Sequence, residues 1–184
     1  MRKTFLSCFL LIIFLVEAKA LVISNFGSSV TVLGSTGFTY NPSTSLLSGT
    51  EAGGDVLYNS APFSLSLTGA TGVALTASAT TAPSGPFSIT LTDNTGKVAI
   101  ANGFTYTSFL AGPKTVQKSF SSVASLFNFS NVTDFSLDSG GSGQALSITL
   151  TQLQSVPEPS AWSALVVGAI TLGIAACRRL RSSN

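Results

Sequence analysis

The stretch 87–100, FSITLTDNTGKVAI, sets the fold class of this chain. Its first six residues alternate apolar side chains with Ser and Thr, which is the period-2 pattern of a half-buried strand. The turn sequence Asp-Asn-Thr-Gly follows, and apolar residues then return. The stretch therefore predicts a β-hairpin. We expect its buried side to carry Phe87, Ile89, Leu91, Val98 and Ile100.

The composition of this hairpin extends over residues 21–155. Ser, Thr, Gly, Ala and β-favouring apolar residues dominate there, and the strong surface helix formers are scarce. About ten short strands separated by turn residues predict an all-β domain, a β-sandwich of jelly-roll type. Further strands are expected at 21–24, 29–33, 38–40, 63–67, 73–77, 104–109, 115–120, 132–137 and 145–151. We expect a long loop at 46–54 and at most two helical turns at 122–127.

Residues 1–20 have the features of a secretory leader. Arg2 and Lys3 provide a positive start, and the apolar run 5–16 is too short to span a bilayer comfortably. Ala18 and Ala20 then form the small-x-small pattern that signal peptidase accepts. We expect cleavage after Ala20, although an uncleaved N-terminal anchor is the alternative.

The last segment, 156–184, has three parts. Prolines restrict the backbone at its start, so we expect an exposed, extended stub there. The uncharged run 161–177 is predicted to be one transmembrane helix, extended at its ends by Trp162 and by basic side chains. Those basic residues should remain in the cytoplasm and leave the rest of the chain outside. They are Arg178, Arg179 and Arg181.

This order of parts resembles the PEP-CTERM sorting signal of exported bacterial proteins. The resemblance covers the tail alone, and its motif consists of Val156, Pro157, Glu158, Pro159 and Ser160. It implies that an exosortase-like integral-membrane cysteine protease recognises the motif and cuts near it. A simple C-terminal membrane anchor is the alternative.

Charge and composition exclude several functions for the middle of the chain. Residues 21–156 contain three lysines and five acidic residues, so their net charge is 3 − 5 = −2. Such a domain has no basic cluster with which to bind a nucleic-acid backbone. The chain also contains no histidine, and both cysteines lie in the terminal segments, so histidine and thiol catalysis are unavailable. We expect no enzyme activity and no cofactor.

Two weaker candidates concern ligands. Asp134 and Asp138 are expected on one face of a strand, opposite Phe135 and Leu137, and are candidates for calcium binding. A polar strand face without metal is the simpler interpretation. The three tyrosines are candidates for a sugar-stacking surface, with surface packing as the alternative. They are Tyr40, Tyr58 and Tyr106.

The two ends of the chain thus predict its destination. We expect a protein that is held transiently in the inner membrane and then resides in the cell envelope or the extracellular matrix. Its expected role is structural or adhesive. The alternative is a polysaccharide-binding β-sandwich at the cell surface.

Overall fold

The structure is a computed structural model that describes residues 19–28, 30–33, 37–50, 56–140 and 143–158. Lys19–Glu158 forms one compact unit. The part of the chain that the structure describes contains no helix with the length and hydrophobicity needed to span a bilayer. Several predicted features lie outside these residues, namely most of the leader with Ala18, the motif residues Pro159 and Ser160, the apolar run 161–177, and Arg178, Arg179 and Arg181.

Strands dominate the described chain. Their bounds are β1 Val22–Ser24, β2 Val30–Leu33, β3 Phe38–Asn41, β4 Leu46–Thr50, β5 Val56–Asn59, β6 Ala70–Thr81, β7 Pro86–Asp93, β8 Val98–Thr105, β9 Lys114–Ser119, β10 Ser122–Val123, β11 Val132–Ser139 and β12 Ala145–Pro157. One 3₁₀ helix, Tyr106–Phe109, follows β8.

The strands form two six-stranded antiparallel sheets. The first sheet has the order β3-β4-β12-β6-β9, and β1 pairs with the end of β12. The second sheet has the order β10-β8-β7-β11-β5-β2. One hydrophobic cluster, which runs from Ile23 to Leu153 in the described residues, draws side chains from both sheets. The predicted β-sandwich is confirmed, and this unit contains a hydrophobic core of its own.

The hairpin at 87–100 forms as β7 and β8, but the predicted buried side of its second strand is wrong. Leu91 lies opposite Ala99, and Thr90 lies opposite Ile100. The buried residues of β8 are therefore Ala99 and Ala101, whereas Val98 and Ile100 are half-buried on the outer side. Residues 94–97 connect the two strands, with Gly96 at φ 79°, and the resulting register places Val98 opposite Thr92 on the outer side.

Aromatic residues occupy the core beside this hairpin. Phe87 stacks on Phe104 with ring centroids 5.3 Å apart and on Tyr106 at 4.4 Å. Tyr106 and Phe109 are both fully buried, three residues apart in the 3₁₀ helix. The predicted strand 104–109 therefore ends at Thr105, because a tight turn places both rings in the core.

Three other predicted elements differ from the structure, and one strand was not predicted. In the predicted loop 46–54, residues 46–50 form β4, because β3 and β12 pair with them on both sides, and 51–55 lie outside the described residues. Segment 63–67 makes only one bridge, from Leu65 to Val132. The predicted helix at 122–127 begins as β10, whose pairing with β8 continues through Ala124. Strand β5 was not predicted.

Strand β12 also changes the predicted stub. β6 flanks it on one side, and β4 and then β1 flank it on the other. Its pairing continues through Val156 and Pro157, which are half-buried. The backbone N–H of Glu158 donates to the carbonyl of Gly69 over 2.6 Å. Among the motif residues that the structure describes, only Glu158 is exposed. A proline such as Pro157 is tolerated at the end of a paired strand.

Candidate functional site

The outer side of the second sheet carries the candidate site. Directly opposed residues share one side of a sheet. The pairing therefore places a row of residues across this surface, and the row consists of Thr31, Tyr58, Ser136, Thr90, Ile100 and Ser122. We call the surface formed by Tyr58, Ser88, Thr90, Thr92, Asp134, Ser136 and Asp138 the Tyr58 face.

Tyr58 lies on β5 between two carboxylates of the neighbouring strand. Its own neighbours in sequence, Leu57 and Asn59, are buried in the interior, so its half-buried ring belongs to the outer side. It is opposite Ser136, and Asp134 and Asp138 lie two residues to either side of Ser136. Such diagonal neighbours are about 7–8 Å apart, which is within reach of an aromatic side chain. An aromatic platform is thus flanked by hydrogen-bond acceptors.

Asp138 is held in place by the hydroxyls around it. Thr90 Oγ1 donates to its Oδ2 over 2.8 Å, and Ser136 Oγ donates to the same oxygen over 3.2 Å. Both hydrogen bonds from described side chains thus fall on Oδ2. Oδ1 of the same carboxylate accepts no hydrogen bond from a described side chain.

A groove of about 440 Å³ adjoins this carboxylate, a volume within the usual range of small-molecule sites. It is lined by Pro86, Phe87, Ser88, Asn102, Gly103, Asp138, Ser139 and Gly140. Ser88 and Asp138 belong to both the groove and the Tyr58 face, so the two form one continuous surface. At Gly140 an added Cβ would lie 2.8 Å from the carbonyl oxygen of Pro86, so a side chain there would force the groove wall to shift.

The carboxyl of Asp134 has a different environment. Burial raises its pKa, and the backbone N–H of Phe135 lowers it, with a net rise above its ordinary value. Its Oδ1 is buried and accepts no hydrogen bond from the described residues. Asp134 therefore favours the neutral form more than a solvated aspartate does.

A second pocket of about 510 Å³ lies near β1. Phe26, Phe63 and Phe135 contribute to its lining. Its buried polar residue, Asn59, already donates to the carbonyl of Ala61 and accepts from the N–H of Phe135, each over 2.8 Å. The Tyr58 face instead combines an aromatic ring with two carboxylates, and we regard it as the candidate site.

The residues proposed from sequence are distributed as follows. Tyr106 is in the core, Tyr40 is half-buried and packs against the core from β3, and only Tyr58 belongs to the outer side of the second sheet. Asp134 and Asp138 do share one side of β11, as predicted. They are four residues apart, about 13 Å along a strand, so the two carboxylates do not bind one calcium ion together. Among the residues that the structure describes, no three His, Cys, Asp or Glu side chains come together to hold a metal.

Asp93 was expected at a solvated turn, but it is only 2% exposed. Burial raises its pKa, but hydrogen bonds lower it further, and the net pKa lies well below the usual range. The donors are Thr95 Oγ1, the N–H of Thr95, the N–H of Lys97 and the N–H of Asn128, at 2.7–3.0 Å. Asp93 therefore holds the β7–β8 connection against a distant loop and has no place in the Tyr58 face.

Sequence reasoning missed the hydroxyl residues of the site. Ser88, Thr90 and Thr92 occupy the polar positions of the alternation that predicted β7. The same alternation, read for its outer side, identifies them as neighbours on one surface. Their alignment with Tyr58 and Ser136 depends on the order of the strands in the sheet, which the alternation pattern does not reveal.

Comparisons with known proteins show the fold. No protein-family model matches this chain, and no characterised protein matches it in sequence. The agarase AgWH50C matches 76% of the chain with a TM-score of 0.55 and 13% identity, and this match spans 25% of the agarase. The family 11 carbohydrate-binding module of the Clostridium thermocellum cellulase Lic26A-Cel5E matches with a TM-score of 0.46 and 12% identity. This match covers 76% of the chain and 95% of the module. A family 6 carbohydrate-binding module matches with a TM-score of 0.39 and 16% identity, and this match covers 74% of the chain and 88% of the module. At these identities, the agarase match shows a shared β-sandwich fold.

Proposed function

We propose that this chain is an exported, jelly-roll-like β-sandwich that binds polysaccharide through the Tyr58 face and attaches to it in the cell envelope or matrix. The observation that carries the proposal is the position of Tyr58 between Asp134 and Asp138. A sugar ring stacks on an aromatic face while its hydroxyls donate to neighbouring carboxylates. The protein is adhesive in this account and has no catalytic role.

The charges of the domain favour a neutral polysaccharide. Asp134 and Asp138 are the acidic residues of the Tyr58 face. Of the domain's three lysines, Lys97 lies in the β7–β8 connection and Lys114 lies on β9 of the other sheet. Lys118, also on β9, has its Nζ 3.8 Å from the position of a Cβ at Gly103, which lines the groove. Uronic or sulfated sugars stacked on Tyr58 would meet the like charges of these two carboxylates.

Binding can be tested with the domain 21–158 on an array of neutral and acidic polysaccharides, with agarose and alginate as first probes. We expect saturable binding to a neutral polysaccharide. Tyr58→Ala should weaken it about tenfold, because an aromatic contact contributes about 1.5 kcal/mol. Thr115→Ala, on the outer side of the first sheet, is the matched control and should bind like wild type. An absence of saturable binding, or equal binding by Tyr58→Ala, would refute the site.

The tail supplies the second part of the proposal. We expect the PEP-CTERM-like motif to direct the protein to an exosortase-like protease, with the leader removed and the apolar run 161–177 holding the chain in the inner membrane until then. Glu158, the first exposed residue of the motif, is the side chain to change. In cells of the host, wild type should be shortened, whereas Glu158→Ala should remain membrane-bound at full length. If both proteins behave alike, the segment is a simple anchor.

A further inference from the structure

The predicted mature N-terminus contacts the last strand of the domain. The backbone nitrogen of Leu21 donates to Ser155 Oγ over 2.9 Å, and the N–H of Ser155 donates to the carbonyl of Leu21 over 2.8 Å. Ser155 is 4% exposed. This pair continues the antiparallel pairing of β1 with β12, in which Val22 lies opposite Gln154.

Leader removal would change the chemistry of this contact. Cleavage after Ala20 turns the Leu21 nitrogen from an amide into an α-ammonium, which has three donors and a positive charge. That cut preserves both hydrogen bonds, and the charge strengthens the one to Ser155 Oγ. A cut one residue later would remove Leu21 and leave a buried N–H and a buried hydroxyl of Ser155 without these partners.

We infer that Ser155 is the binding site for the chain's own α-ammonium, so that the first residue of the mature protein fastens the last strand. The inference rests on leader removal, which is part of the proposed function. β12 continues from Ser155 through Pro157, and Glu158 then bonds to Gly69. The contact between Leu21 and Ser155 therefore stabilises the base of the segment that carries the sorting motif.

The contact can be measured by modifying the α-amine with a selective aldehyde and following the intact mass. The hydrophobic core lies within the compact unit Lys19–Glu158, so chains that end at residue 158 are suitable for this measurement. A chain beginning at Leu21 should react roughly tenfold more slowly than one beginning at Lys19, whose amine lies two residues beyond the contact. Ser155→Ala should remove the protection. Ser147→Ala, on the same strand, should keep it.

Equal reaction rates for the chains that begin at Leu21 and Lys19 would overturn the inference. That comparison changes no side chain of the domain, so it holds even if Ser155→Ala fails to fold. N-terminal sequencing of the protein from its own cells tests the premise separately. A mature chain that begins anywhere other than Leu21 would refute leader cleavage at this site, whatever the reaction rates show.

Discussion

Replacing Asp138 by Asn tests the electrostatic part of the proposed site. Thr90 and Ser136 both donate to Oδ2, so an amide oxygen in the same place can keep these two contacts. The substitution mainly removes the charge that Oδ1 offers to a ligand hydroxyl. A hydrogen bond to a charged group contributes about 1.5–3 kcal/mol, and one between neutral groups about 0.5–1.5 kcal/mol. The difference of about 1–1.5 kcal/mol predicts an affinity for neutral polysaccharide about tenfold lower.

Isothermal titration calorimetry with oligosaccharide fragments, at fixed salt, measures this change. The melting temperature of Asp138→Asn should remain close to that of wild type, because the two hydroxyls retain an acceptor. Thr115→Ala serves again as the variant from the opposite surface. Undiminished affinity of Asp138→Asn, or an equal loss in Thr115→Ala, would refute the role assigned to this carboxylate.

Two further predictions concern stability. The pKa of Asp93 in the folded protein is lower than in the unfolded chain, so its contribution to stability is present above about pH 4 and is lost as the pH falls through the folded pKa. In urea unfolding from pH 7 to pH 2, wild type should therefore lose stability more steeply with acid than Asp93→Asn. Parallel curves for the two proteins would contradict this. Leu75 is fully buried in β6, and Leu75→Ala should lower the free energy of unfolding by about 2–5 kcal/mol. Thr76→Ala beside it should change this free energy by less than about 1 kcal/mol. Similar urea midpoints for the two variants would show that the core is assigned wrongly.

The alternation of apolar and polar residues identified the strands whose two sides differ in polarity. Ile89 and Leu91 point inward as predicted, and the same pattern places Asp134 and Asp138 together on the outer side of β11. It failed for Val98 and Ile100, because their side depends on the hydrogen-bonded geometry of the β7–β8 connection rather than on their own polarity.

Long-range pairing explains the other differences. β4 contains Ser, Gly and Thr and resembles a loop, yet it forms a strand because β3 and β12 satisfy its backbone on both sides. The groove could not be predicted for a related reason. Pro86, Gly103 and Asp138 belong to three separate segments of the chain, and only the strand order brings them together.

The most direct test of the account is amide chemical-shift mapping of the isotope-labelled domain 21–158 during titration with an agarose-derived oligosaccharide, followed by the other neutral glycans of the array. Binding at the Tyr58 face predicts saturable shifts at Tyr58, Thr90, Ser136 and Asp138 with a neutral glycan, and none with alginate fragments. Shifts confined to the outer side of the first sheet, around Thr76 and Thr115, or no shifts with any neutral glycan, would contradict it.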